Sequence, residues 1–372
     1  MFEATGADLA NRGAGIIAHQ ILFDALSNLG ISIPNNVGVT IRTRKTFAKD
    51  SSVVGTTKQD QVATSWGRIY QLLKQQFPQK HYHKNMSLLN FQQLDGSVIS
   101  NFSDGTSVSS ELLVAADGIR STVRQQLEPG SRPQYVGYIA WRGLINEEDL
   151  DESEKREILP YFTFCLPHGE QVLSYPVTGK PDTDSVSHKR LNMVWYRPAS
   201  SESTLMEMLT DVDGNNNGIS IAPDKIRSSI VQRMRQDADN MLSPQHAKLM
   251  RRLTRPFIQP IYDLTTQSMV HGNIALVGDA AFTARPHIGI GITKAVEDAV
   301  SLAVALEHHT DLPYALSRYN NNRYNINRAW VDRSRALGAY LQSQVRSADE
   351  RRHAQQHRTT ESVMNDTANI NY

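Results

Sequence analysis

Apolar and polar positions change period several times along the chain. Residues 20–30 carry apolar side chains at Ile21, Leu22, Ala25, Leu26 and Leu29, the spacing of one helix face, and Gly30 can close the end. A short β-rich stretch follows, with Val37, Val39 and Ile41 alternating with smaller or polar residues. Thr64 or Ser65 can cap a second helix running from Trp66 through Ile69, Tyr70 and Leu73 to a stop before Pro78. Asp95-Gly96 and Asp104-Gly105 mark hairpins in a strand-rich run over 80–115. That run ends in an unbroken apolar strand, Leu112 to Ala116, which breaks at Asp117-Gly118 before a helix near Ser121.

From about 134 to 200 the pattern becomes aromatic strands: Tyr135 to Leu144, Tyr161 to Leu166, Gln171 to Val177 and Leu191 to Tyr196. These predict an antiparallel sheet, one face of which can form the wall of a ring-binding pocket. Residues 203–254 read as helical or irregular. Strand character returns at Ile274 to Val277, followed by a glycine-bearing turn and a long helix from Gly289 to about Leu306.

The implied fold is α/β of the α+β kind, a discontinuous Rossmann-like domain with an inserted antiparallel-sheet substrate domain. The boundaries expected are 1–133 for the first part of the nucleotide-binding domain, including short strands near 37–45 that can join the substrate sheet. The substrate domain takes 134–255, the second part of the binding domain 256–310, and a C-terminal helix 311–345. The charged, Gln/Asn/His-rich residues 346–372 are expected to form a disordered tail.

Composition narrows the function classes. The chain has 372 residues, 40% hydrophobic and 21% charged, with a net charge of +1, so no global field draws it to nucleic acid or an anionic membrane. No apolar run has the length of a membrane span. Cys165 is the only cysteine, which excludes an intramolecular disulfide and a cysteine zinc site. The twelve histidines show no ligand spacing, so no metal site is expected, and His81, His83, His308 and His309 read as surface groups. A cytoplasmic protein is expected.

Two segments carry chemistry. In the first, Leu113-Val114-Ala115-Ala116-Asp117-Gly118-Ile119-Arg120-Ser121-Thr122-Val123-Arg124, a buried strand ends at the rim where open α/β sheets bind ligands. There Asp117 can accept a ribose hydroxyl or cap the helix, and Gly118 permits close backbone approach. The second runs Ile274-Ala275-Leu276-Val277-Gly278-Asp279-Ala280-Ala281, then Arg285-Pro286-His287-Ile288-Gly289-Ile290-Gly291. Small Ala280 and Ala281 let a cofactor lie near the backbone. Gly289 and Gly291 open a helix whose first N–H groups favour partial negative charge.

These segments resemble the fingerprints of flavoprotein aromatic hydroxylases of the p-hydroxybenzoate hydroxylase fold. Tyr138-Ile139-Ala140-Trp141-Arg142-Gly143 and Asp279 to His287 are similar to the 2,6-dihydroxypyridine 3-monooxygenase-like members. The resemblance covers roughly residues 1 to 330. It implies bound FAD, NADH or NADPH as co-substrate, O2, and hydroxylation of a small electron-rich ring, with a homodimer as the candidate assembly. It implies cofactor contacts at Glu3, Arg12, Gly13, Arg68, Asp117, Gly118, Gly278, Asp279, Ala280, Pro286, Gly289 and Gly291. His287 becomes the candidate general base or substrate contact. Trp141, Tyr175 and Trp195 are candidates for the substrate wall. A halogenase or reductase on the same fold ranks last.

Members of this family open with a strand and a Gly-x-Gly-x-x-Gly loop, and no such segment stands in this sequence. Met1-Phe2-Glu3 instead resembles the end of the second strand, so about thirty residues are expected to be missing from the front. Losing five large apolar side chains from a central strand forfeits roughly 7–15 kcal/mol, against a domain stability of about 5–15 kcal/mol. The alternative expectation is therefore a truncated gene model or an inactive remnant that does not hold FAD stably.

Overall fold

A computed structural model of the chain describes residues 1–9, 15–179, 189–341 and 347–370. The chain opens with β1 (Phe2–Glu3), β2 (Gly15–Ala18) and α1 (Gln20–Asn28). Next come β3 (Val39–Phe47), β4 (Val53–Ser65) and α2 (Trp66–Gln76), then the short β5 (His83–Lys84). A meander of β6 (Leu88–Leu94), β7 (Ser97–Phe102) and β8 (Ser107–Ser110) leads to β9 (Leu113–Ala115) and α3 (Thr122–Leu127). The middle of the chain holds β10 (Gln134–Asn146), α4 (Glu152–Glu157), β11 (Phe162–Cys165), β12 (Gln171–Thr178) and β13 (Lys189–Pro198). Helices α5 (Glu202–Leu209), α6 (Ser228–Met241) and α7 (Pro244–Arg252) precede β14 (Phe257–Thr265), β15 (Val270–His271), β16 (Ile274–Leu276) and β17 (Phe282–Thr283). Four helices close the chain: α8 (Gly291–His308), α9 (Leu312–Gly338), α10 (Ala348–Gln356) and α11 (Thr360–Asp366).

Nine strands form one large sheet in the order β17-β14-β10-β13-β12-β11-β3-β4-β2. Its centre is apolar without alternation because both faces are covered. Ile139, Trp141, Met193 and Trp195 point to a core shared with α6 and α7. Tyr138, Ala140, Val194 and Tyr196 point to the other face, against Ile17, Leu341, Val363 and Met364. The strand from residues 39–47 thus belongs to the large sheet, where it pairs with β4 and β11.

The remaining strands form smaller sheets. β9 pairs in parallel with β16, Ala115 opposite Leu276, so the two strand ends come out side by side. β1 pairs in parallel with β5 in a separate two-stranded sheet. A third core, containing Val123, Leu276, Ala281, Leu302 and Tyr319, packs α3, α8 and α9 against β9 and β16.

Residues 346–372, expected as a disordered tail, contain two capped helices, so that expectation is corrected. Ser347 and Glu350 form a capping box at the start of α10, and Thr359 caps α11. Val363 and Met364 then bury against the large sheet, and the Arg44 guanidinium donates to the Met364 carbonyl. That apolar pair, seated by local capping, overrides the polar composition.

Candidate functional site

The C-terminal ends of β9 and β16 project their turns into one cleft. At the first end Gly118 takes φ +72°, and a Cβ placed there would meet nothing within 4 Å. Asp117 is exposed, and its carboxylate accepts the Val123 N–H at 3.3 Å, at the start of α3. Ser121 provides the main cap by accepting the Arg124 N–H at 2.9 Å. Arg124, to which the sequence pattern assigns no role, ties the two ends together. Fully buried, it donates to the carbonyls of Ala280 at 2.9 Å, Ile119 at 2.6 Å and Ser131 at 3.2 Å.

The second end is more heavily built. Gly278 adopts φ +61°, and a Cβ there would lie 3.3 Å from the Ala295 side chain on α8. Glycine is required on both counts. Its N–H donates to the Asp298 carboxylate at 3.0 Å. Asp298, fully buried, also accepts from Arg323 at 2.9 Å and Asn327 at 2.8 Å, and Arg323 reaches Glu297 at 2.8 Å. Lys294 is fully buried in the first turns of α8, 3.8 Å from Asp298 and 4.0 Å from Asp279. Burial raises the pKa of Asp279 and the Lys294 charge opposes that rise. The Asp279 side chain keeps 51% of its surface open.

Between these ends and β14 lies a cleft of about 400 Å³, lined among others by Asp117, Gly118, Asp279, Pro286, Gln259 and Tyr262. Gly289 sits in the left-handed region at φ +66°, and Gly291 begins α8 with open space where a Cβ would be. Among the described residues no side chain caps α8, and its first turn holds no acidic residue. Its terminal N–H groups are therefore available to a partially negative ligand.

The structure separates the remaining expected residues. His287 turns away from the cleft. Its Nε2 lies 2.7 Å from the Tyr138 hydroxyl, its ring centroid is 4.8 Å from that of Tyr196, and a Cβ at Gly338 would come within 2.7 Å of the imidazole. Burial, assisted by the Arg285 charge, pushes its pKa down to about 3. Trp141 and Trp195 belong to the core on the opposite sheet face, where the Trp195 indole donates to Glu170 at 2.7 Å. Tyr175 faces the site side but donates to the Gly15 carbonyl at 2.9 Å, and burial pushes its pKa up to about 12. Asn192 accepts the Gly15 N–H at 2.9 Å, and Arg142 donates to Gln259 at 2.8 Å and toward the Gly15 carbonyl at 3.4 Å. Together these side chains hold the backbone where it enters β2. Arg12 and Gly13 lie outside the described residues. Arg68 donates to Asn36 at 2.9 Å from the first turn of α2, and Glu3 accepts the Thr5 N–H at 2.9 Å.

The donor set fits a flavin's polar chain. A Cβ at Gly118 would meet nothing within 4 Å, and the half-open Asp279 carboxylate lines the same cleft. The buried polar atoms Lys294 Nζ, Arg68 Nε, Arg142 Nε and His19 Nε2 have no hydrogen-bond partner among the described residues. His19 faces Thr293 of α8 at 2.9 Å through its other nitrogen.

Several known proteins are similar to this chain over much of its length. A family profile described as FAD binding domain-like matches residues 135–263. The 2,6-dihydroxypyridine 3-monooxygenase of Paenarthrobacter nicotinovorans is 28% identical over 342 residues, 92% of this chain and 85% of that protein. The aurachin C monooxygenase/isomerase of Stigmatella aurantiaca is 28% identical over 278 residues, covering 73% of this chain but only 62% of that one. Among solved structures, 2,6-dihydroxypyridine-3-hydroxylase from Arthrobacter nicotinovorans superposes with a TM-score of 0.85 at 27% identity, over 92% of this chain and 86% of the other. Klebsiella pneumoniae HpxO, solved with FAD and uric acid, shares the fold with a TM-score of 0.74 at 20% identity, over 98% and 88% of the two chains.

Proposed function

We propose that the chain is an FAD-dependent aromatic monooxygenase, as its similarity to proteins of that kind suggests, and that it hydroxylates a small electron-rich aromatic or N-heteroaromatic ring in the cytoplasm, using NADH or NADPH and O2. The observation that carries the reading is the convergence of Asp117-Gly118 and Gly278-Asp279 on one cleft closed by Gln259 and Tyr262 of the large sheet.

When bound, the flavin supplies two-electron chemistry with NAD(P)H and the activation of O2. In this reading the chain's residues hold and orient. Asp279 accepts hydrogen bonds from the cofactor's polar chain, Gly118 and Gly291 give it room, and the uncapped start of α8 faces its ring. Glu3, Arg12, Gly13 and Arg68 are assigned to the cofactor by the resemblance. Arg142 occupies the carbonyl oxygen of Gln259, which leaves the amide nitrogen to donate into the cleft toward a ring hydroxyl. His287, neutral and enclosed, braces the Pro286 turn through Tyr138 rather than moving a proton on substrate. The apolar atoms of Ile261 and Pro260 exclude water beside it.

The test is NAD(P)H oxidation by the FAD-loaded chain, with product analysis, across dihydroxypyridines, hydroxynicotinate and simple phenols. A ring that accelerates oxidation and gains one oxygen supports the reading. Flavin-loaded protein that no ring stimulates counts against it.

A further inference from the structure

Lys294 is the largest unexplained charge near the cleft. Its ammonium is fully buried and makes no hydrogen bond among the described residues. Such a group is costly unless something nearby needs it. Asp298 does not: it already accepts from the Gly278 N–H, Arg323 and Asn327, and Arg323 supplies its counter-charge. Glu297 is likewise matched by Arg323. Asp279 has no such set. Among the described residues Lys294 is the only cation within 4.0 Å of it, and at that distance it acts by charge, not by a hydrogen bond.

We infer that Lys294 is a positioning residue for the cofactor, holding Asp279 at the strand end as an ionised, aimed acceptor so that the two bind the flavin's hydroxylated chain as one unit. This rests on the FAD reading above. The physical reason is desolvation. A ligand laid over Asp279 covers the half of its surface now open, which favours the protonated acid. A protonated carboxyl accepts fewer hydroxyl hydrogens. A cation fixed behind the carboxylate cancels that tendency without competing for the cleft, because Lys294 itself has no exposed surface. The groups facing the pair are Asp298 from α8, and Arg323 from α9 with its partner Glu297.

The experiment measures FAD dissociation constants by flavin fluorescence quenching, with thermal midpoints alongside, for the full chain and for K294M, K294R, D279N and the K294M/D279N double variant. Wild-type affinity is expected to be flat from about pH 6 to about pH 8, whereas K294M weakens binding about tenfold near neutrality and tightens as pH rises. K294R recovers most of the loss. D279N weakens binding without acquiring a pH dependence, and K294M adds little on top of it. The thermal midpoint of K294M stays level or rises, because a desolvated ammonium that makes no hydrogen bond among the described residues has been removed. K294M binding FAD like wild type while D279N binds poorly would overturn the proposal. Losses that simply add in the double variant would do the same. A K294M chain that melts far lower and loses flavin only in proportion to its unfolded fraction would assign the lysine to stability instead. Wild-type chain that is folded but binds no FAD would remove the reading beneath the proposal, and the proposal with it.

Discussion

Two strand ends that look alike in sequence are built differently. Both are short apolar strands closing on an aspartate beside a glycine at positive φ. Asp117 stands at the surface with a single long contact to the start of a six-residue helix. Asp279 stands in front of a buried assembly of Lys294, Asp298, Arg323 and Asn327. The sequence cue marks where a ligand can approach a strand end. The charges behind the cue decide how firmly the aspartate is held, and these come from helices α8 and α9.

That contrast can be broken in graded steps. The largest effect is expected from D298A. It strands Arg323, Asn327 and the Gly278 N–H in a dry core, and denaturant unfolding should show a loss of about 3–5 kcal/mol. R124M removes the three donations that join the two ends. It should cost about 2–3 kcal/mol by the same measurement, since two buried carbonyls and one part-buried carbonyl lose a charged partner. D279A takes one of two nearby carboxylates from the buried Lys294 and should cost about 1 kcal/mol of stability, Asp298 remaining at 3.8 Å, yet weaken FAD by tenfold or more in equilibrium dialysis, about 1.4 kcal/mol. D117A is expected to be mildest, with about 1 kcal/mol of stability lost with the helix-start contact and an affinity change about threefold or less. If D117A and D279A weakened flavin equally, the distinction between the ends would fail.

Much of the candidate site is legible in the sequence because a strand end bearing Asp-Gly or Gly-Asp is a local pattern. Gly278 had to be glycine for reasons of φ and of contact with Ala295, and such a constraint is written in a single residue. The substrate wall was harder. Trp141 and Trp195 sit on strands buried on both faces, so no alternation reveals which face meets the ligand. The choice of face follows from α6 and α7 covering one side, a long-range contact that periodicity does not encode. His287 reads in sequence as a residue at a helix start, whereas Tyr138 and Gly338, distant in sequence, enclose it. Lys294 reads as an ordinary helical lysine, and only its burial between two aspartates distinguishes it. The C-terminal segment did carry a readable signal. Ser347-Ala348-Asp349-Glu350 is a capping-box pattern, and it was outweighed by the charged composition around it.

The central claim is that the paired strand ends form a flavin site, and the most direct test is flavin retention by the chain itself. Residues 1–372 and the D279N variant would be purified, saturated with FAD, freed of excess, and compared by the absorbance of the flavin that remains. The account predicts near-stoichiometric flavin on the wild-type chain and a clear deficit on D279N. Folded wild-type protein that retains none, or D279N retaining as much as wild type, would contradict it.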